Sequence, residues 1–117
     1  MAKFVETNPG EVNLISTSTN VSGDINTESD IRIDGTLKGN LTTQGRLIIG
    51  PKGKIEGEIK CKLAEIEGEM KGKIFVDELM SLKSTASFSG EIITGQLLIE
   101  PGAFFQGNCQ MNKNKSS

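Results

Sequence analysis

The 117-residue chain has no His, Trp or Tyr, and only 5 Phe, 2 Cys and 3 Pro. Lacking histidine, it has no imidazole to serve as a general base or to build a three-histidine zinc site. So few aromatic residues, within a total of 35% hydrophobic residues, make a poor conventional core for a small domain. No apolar run approaches the length that spans a bilayer. The start, MAKFVE, lacks the apolar stretch of a secretion signal. Cys61 and Cys109 form no C-x-x-C pair and no disulfide framework, and are read as reduced thiols of a cytoplasmic protein. The net charge of -2, with Lys and Glu interspersed, supplies no basic field for nucleic acid. No G-x-G-x-x-G or Walker loop opens a helix, so the 14 glycines make no nucleotide site.

What the chain does have is a period. The run IEGEMKGKI at residues 66–74 alternates apolar residues with charges or glycines, which is the pattern of a half-buried strand. Gly68 and Gly72 fall on the inward side, where glycine marks a bend or a close backbone approach. Ile33, Ile49, Ile66, Leu82 and Ile99 recur at 16- or 17-residue intervals, and Ile31, Leu47, Ala64, Met80 and Leu97 keep the same spacing two residues earlier. A second unit, apolar-x-Gly-x-apolar, begins at Val21, Leu37, Ile55, Met70, Phe88 and Phe105. Four or six residues separate the two units, and the longer connections carry turn-like insertions such as PKGK and PGAF.

A repeat this short leaves no room for a crossover helix. The expectation is an all-β parallel solenoid of about six turns, near residues 13–28, 29–44, 45–61, 62–77, 78–94 and 95–111. At about 4.8 Å per turn the rod is roughly 29 Å long, so its ends are a large part of its surface. In this register Glu58, Lys73 and Glu91 stack with alternating sign, as do Lys38, Glu56 and Lys71, and also Glu67, Lys83 and Glu100. Such columns favour the register and solvate the outer face. Phe75 and Ile93 interrupt one outward column and are a candidate lateral contact patch.

Solenoid acyltransferases keep an apolar residue every sixth position and commonly use a histidine base, and solenoid carbonic anhydrases need zinc-binding histidines. Neither pattern is present, and no catalytic, cofactor-binding or metal-binding residue is assigned. The stretches IRIDGTLKGNL at 31–41, GPKGKIEGEI at 50–59 and IEPGAFFQGNC at 99–109 instead resemble the bactofilins, a family of bacterial cytoskeletal proteins. That resemblance implies a right-handed, three-sided β-helix that polymerises end to end into non-polar filaments without nucleotide. It also implies work at the inner membrane face, scaffolding cell shape or positioning cell-wall enzymes or chromosome-positioning factors.

The expected organisation is an N-terminal tail over residues 1–12, a polymerisation domain over 13–111 and a short C-terminal tail over 112–117. Tails this short leave little room for recruiting partners through a long one. Met1, Lys3, Phe4 and Val5 are the candidate membrane contact, one cation beside apolar side chains. Neither end of the solenoid shows a cap, which makes Leu14, Ile15, Phe104, Phe105, Cys109 and Met111 the candidate polymer interface. The rival reading is a monomeric solenoid that binds a cell-wall polymer or a protein partner.

Overall fold

The computed structural model describes residues 13–111. These form β1 (Asn13–Ile15), β2 (Asn20–Ser22), β3 (Ile25–Thr27), β4 (Ile31–Ile33), β5 (Thr36–Lys38), β6 (Leu41–Thr43), β7 (Arg46–Ile49), β8 (Lys54–Ile66), β9 (Glu69–Leu82), β10 (Ser87–Ile99) and β11 (Phe104–Met111). Every pairing is parallel. The result is an all-β parallel solenoid of six turns with three faces. In the first two turns, and on the first face of the third, each face has its own short strand; from β8 onward one strand bends continuously from the second face through the third to the first.

The inward columns are those read from the period. On the first face Ile15, Ile33, Ile49, Ile66, Leu82 and Ile99 are successive Cα partners. On the second, Val21, Leu37, Ile55, Met70, Phe88 and Phe105 are stacked, and on the third Ile25, Leu41, Ile59, Ile74, Ile92 and Cys109. All but Ile99 and Cys109 of the last turn join one core. Stacking identical short segments lets Ile, Leu and Val replace the missing aromatic residues, because each side chain is sandwiched between its equivalents above and below.

The three corners use different chemistry. Between the second and third faces stands a spine of glycines, Gly23, Gly39, Gly57, Gly72, Gly90 and Gly107, all with φ between 127° and 145°. Between the first and second faces, the long connections close as β-turns: Thr19 N–H donates to Ser16 O (3.0 Å), Gly53 to Gly50 (2.9 Å), Ala86 to Lys83 (2.9 Å) and Ala103 to Glu100 (3.1 Å). The short connections at Asp34-Gly35 and Glu67-Gly68 omit the two central residues. Because Thr17-Ser18 is such an insertion, the first step of the Ile ladder, Ile15 to Ile33, is 18 residues. Between the third and first faces, buried hydroxyls satisfy the turning backbone: Thr43 Oγ1 donates to Ser29 O (2.7 Å) and accepts from Gly45 N–H (3.0 Å). Among the described residues no buried side-chain nitrogen or oxygen lacks a partner.

Candidate assembly surfaces

The last turn is where the core comes to the surface. Ile99 continues the first-face ladder, yet it is 45% exposed. Burial along that ladder therefore stops at its final member, which no further turn covers among the described residues. Leu97 and Phe105 are half-buried against the core, and Phe105 tilts against Phe88 with ring centroids 5.7 Å apart. Cys109 and Met111 end the inward columns of the third face and are exposed. Phe104 lies outward beside Phe105 on the second face, 52% exposed. One cross-section of the rod thus presents Leu97, Ile99, Phe105, Cys109 and Met111, and the outer edge of β11 has no strand beside it among the described residues.

At the first turn the two candidate residues part company. Ile15 points inward and is buried, whereas Leu14 points outward and is 62% exposed. Asn13 occupies the position that Ile31 and Leu47 fill in later turns, and its amide donates to Thr27 Oγ1 at 3.0 Å. Met1, Lys3, Phe4 and Val5 lie outside the described residues.

Phe75 and Ile93 are neighbours in an outward column of the third face, flanked by Lys60 and Gln110. Both are half-buried. The ammonium groups of Lys73 and Lys60 sit 5.0 Å and 5.9 Å from the Phe75 ring centroid, so cations cover much of its face. The charge columns hold as read: Lys73 pairs with Glu91 at 3.8 Å and Lys83 with Glu100 at 3.6 Å. Exposed pairs of this kind contribute about 0–1 kcal/mol each and act mainly on register.

Both thiols are free, and burial pushes the Cys61 thiol up to about 12 and raises that of Cys109 as well. Neither has the depressed pKa of a nucleophile. No group of three or more Cys, Asp or Glu side chains converges to hold a metal among the described residues. Missing from the sequence reading were Leu97 at the open end and an apolar patch on the first face, Ile48, Leu63, Leu79 and Leu98. The patch shows when outward positions are aligned by turn, at the same period that sets the inward columns.

A regular rod with an open apolar cross-section is the architecture of a subunit that stacks. The profile of the bactofilins, described as polymer-forming cytoskeletal proteins, matches residues 13–110. Bactofilin BacO of Myxococcus xanthus is 31% identical over 99 residues, covering 85% of this chain and 79% of the relative. Bactofilin BacP of the same organism is 29% identical over 91 residues, which is 78% of this chain and 38% of that longer protein. The solid-state NMR structure of the cytoskeletal bactofilin BacA superposes with a TM-score of 0.78 at 33% identity, covering 86% of this chain and 96% of the other. The chain belongs to the bactofilin family, a structural and not an enzymatic one.

Proposed function

We propose that this bactofilin is a cytoplasmic scaffold whose rods join end to end into non-polar filaments without nucleotide. The observation that carries the reading is the last turn, where Leu97, Ile99, Phe105 and Met111 present an apolar cross-section next to a strand edge that is unpaired among the described residues. An identical end, turned about a two-fold axis, offers a matching cross-section and a matching edge. Like ends meeting like ends leave the filament with no net direction. The scaffold lies at the inner membrane face through Met1, Lys3, Phe4 and Val5, a weak anchor that a filament multiplies by presenting many copies. From there it supports cell shape or positions cell-wall or chromosome-positioning proteins.

Negative-stain electron microscopy of the purified chain in nucleotide-free buffer tests the polymer. Long filaments are expected, and monodisperse rods would favour the monomeric binding module. Co-sedimentation with anionic vesicles, comparing the full chain with one lacking residues 1–6, tests the anchor. Equal pelleting of the two would remove the tail from the account.

A further inference from the structure

Two outward columns run side by side on the first face. Over turns three to six one is Arg46, Leu63, Leu79 and Gln96, and the other is Ile48, Glu65, Ser81 and Leu98, which continues through Arg32 to Leu14 in the first two turns. Ile48, Leu63 and Leu79 are half-buried and Leu98 is 52% exposed, and none belongs to the core cluster or packs on it. Four branched apolar side chains thus stand on the outside of a chain whose other outward columns are mostly charged or polar.

Their order along the rod is symmetric. A two-fold axis lying in the plane of the face, perpendicular to the rod and between turns four and five, maps the part of each column in turns three to six onto itself reversed, while Leu14 and Arg32 in the first two turns extend past the partner's last turn. Leu63 then meets the partner's Leu79, Ile48 meets the partner's Leu98, Arg46 meets the partner's Gln96, and Glu65 lies over the position of the partner's Ser81, which is itself buried beneath its neighbours. The flanking charges obey the same operation. Glu67 faces the partner's Lys83 at one corner, and Lys62 faces the partner's Glu78 at the other. Lys62 and Glu78 already form an ion pair of 3.8 Å within the chain, so the operation closes a square of alternating charges. A parallel pair, with its axis along the rod, instead sets Leu63 against the partner's Glu65 and Leu79 against the partner's Ser81. That arrangement buries a carboxylate against leucine and is disfavoured.

We infer that the first face is a lateral contact for a second copy of this chain lying antiparallel to the first, in register between turns four and five. Four apolar residues per copy bury far less than the roughly 800 Å² per partner of a standard stable interface. Single rods therefore pair weakly, and pairing becomes firm when the subunits are linked into filaments that present the patch repeatedly. In that respect alone the inference rests on the filament reading.

Cross-linking in trans tests it. Two proteins are prepared, both carrying Cys109→Ser, one with Ile48→Cys and the other, bearing a size tag, with Leu98→Cys. They are mixed at equal concentration and oxidised. Within the antiparallel pair, residue 48 lies beside the partner's residue 98, while the two copies of residue 48 are three turns apart, roughly 14 Å, beyond the reach of a disulfide. The expected result is at least tenfold more of the mixed dimer than of the residue-48 self-dimer. Equal amounts, or no mixed dimer, overturn the proposal. Micrographs of the same samples score the filaments separately, so filaments without the mixed dimer refute the lateral contact alone.

A charge test does not depend on new cysteines. Glu67→Lys alone, or Lys83→Glu alone, places like charges across the contact and is expected to thin the bundles. Mixing the two proteins restores opposite charges in trans, and bundles are expected to return. Within each chain the altered pair is unchanged by mixing, so absence of recovery overturns the register.

Discussion

A methyl group at Gly57 would run into the carbonyl oxygen of Gly39, and the same collision recurs up the spine from Gly39 to Gly107. The φ of 142° at Gly57 belongs to a region that only glycine occupies comfortably. Gly57→Ala is therefore expected to cost at least about 1–3 kcal/mol from the backbone alone, read as a lower urea midpoint by circular dichroism. Cys61 offers a prediction of another kind. Its buried thiol titrates near 12, against 9.0 for an ordinary one. Below about 9 both folded and unfolded chains keep the proton, so the group has no effect on the pH dependence of stability. Above it the unfolded chain loses the proton first, and stability falls by about 1.4 kcal/mol per pH unit until the folded thiol also ionises. Cys61→Val, which places in the column the residue found at Val76 one turn on, should flatten that slope. Urea midpoints of the two proteins compared across pH 9–11 check it, and parallel curves would refute the assignment.

The corners show why turns of unequal length stack into one rod. Four of the connections between the first and second faces insert a two-residue β-turn tip, and two omit it, yet the carbonyl of the residue that follows, Thr19, Gly35, Gly53, Gly68 or Ala86, accepts from the backbone of the next turn in either case. The tip projects outward and carries no inward side chain. Deleting Pro51 and Lys52 leaves Ile49-Gly50-Gly53-Lys54-Ile55, the spacing found at Ile66-Glu67-Gly68-Glu69-Met70. The shortened protein is expected to keep its β spectrum and to change in stability by less than about 1 kcal/mol, because loop-closure entropy varies slowly with length. A loss of several kcal/mol in chemical denaturation would show that the tip holds the corner. The inward columns were legible in the sequence because period-two alternation and a short repeat act on the same residues. Gly68 and Gly72 are both sites of close approach, as their inward positions imply, but their roles differ. Gly72 has a φ of 131° at a spine corner, whereas Gly68 sits under the short turn against the backbone of Gly50 and Gly53. Nothing in the alternation distinguishes a glycine kept for its φ from one kept for its size. The first-face patch escaped for a related reason: Ile48, Leu63, Leu79 and Leu98 belong to different turns, and only the register assembles them.

At the scale of the whole molecule, extents of 34 × 31 × 22 Å mean that a large share of the surface is end and not side. The two kinds of surface respond differently to solvent. The C-terminal cross-section is apolar, so salt is expected to leave end-to-end growth intact or strengthen it, while side-to-side pairing through Glu67, Lys83, Lys62 and Glu78 weakens as charges are screened. Substitutions at the end need to spare the fold to be informative. Phe105→Arg would remove the ring packed on Phe88 and unsettle the last turn along with any contact. Ile99 is the better position, because nearly half of its surface is already in water and a charged side chain there can extend into solvent in the free rod. In a two-fold end contact the residue occurs twice, and each copy forfeits roughly 1.5–3 kcal/mol of apolar burial. Ile99→Arg is thus expected to raise the concentration needed for filament formation at least tenfold while leaving the β spectrum and thermal midpoint close to those of the parent. Pelleting across a dilution series, with circular dichroism on the supernatants, reads both quantities. Filaments forming at the parent concentration would place the end contact elsewhere than on the open turn.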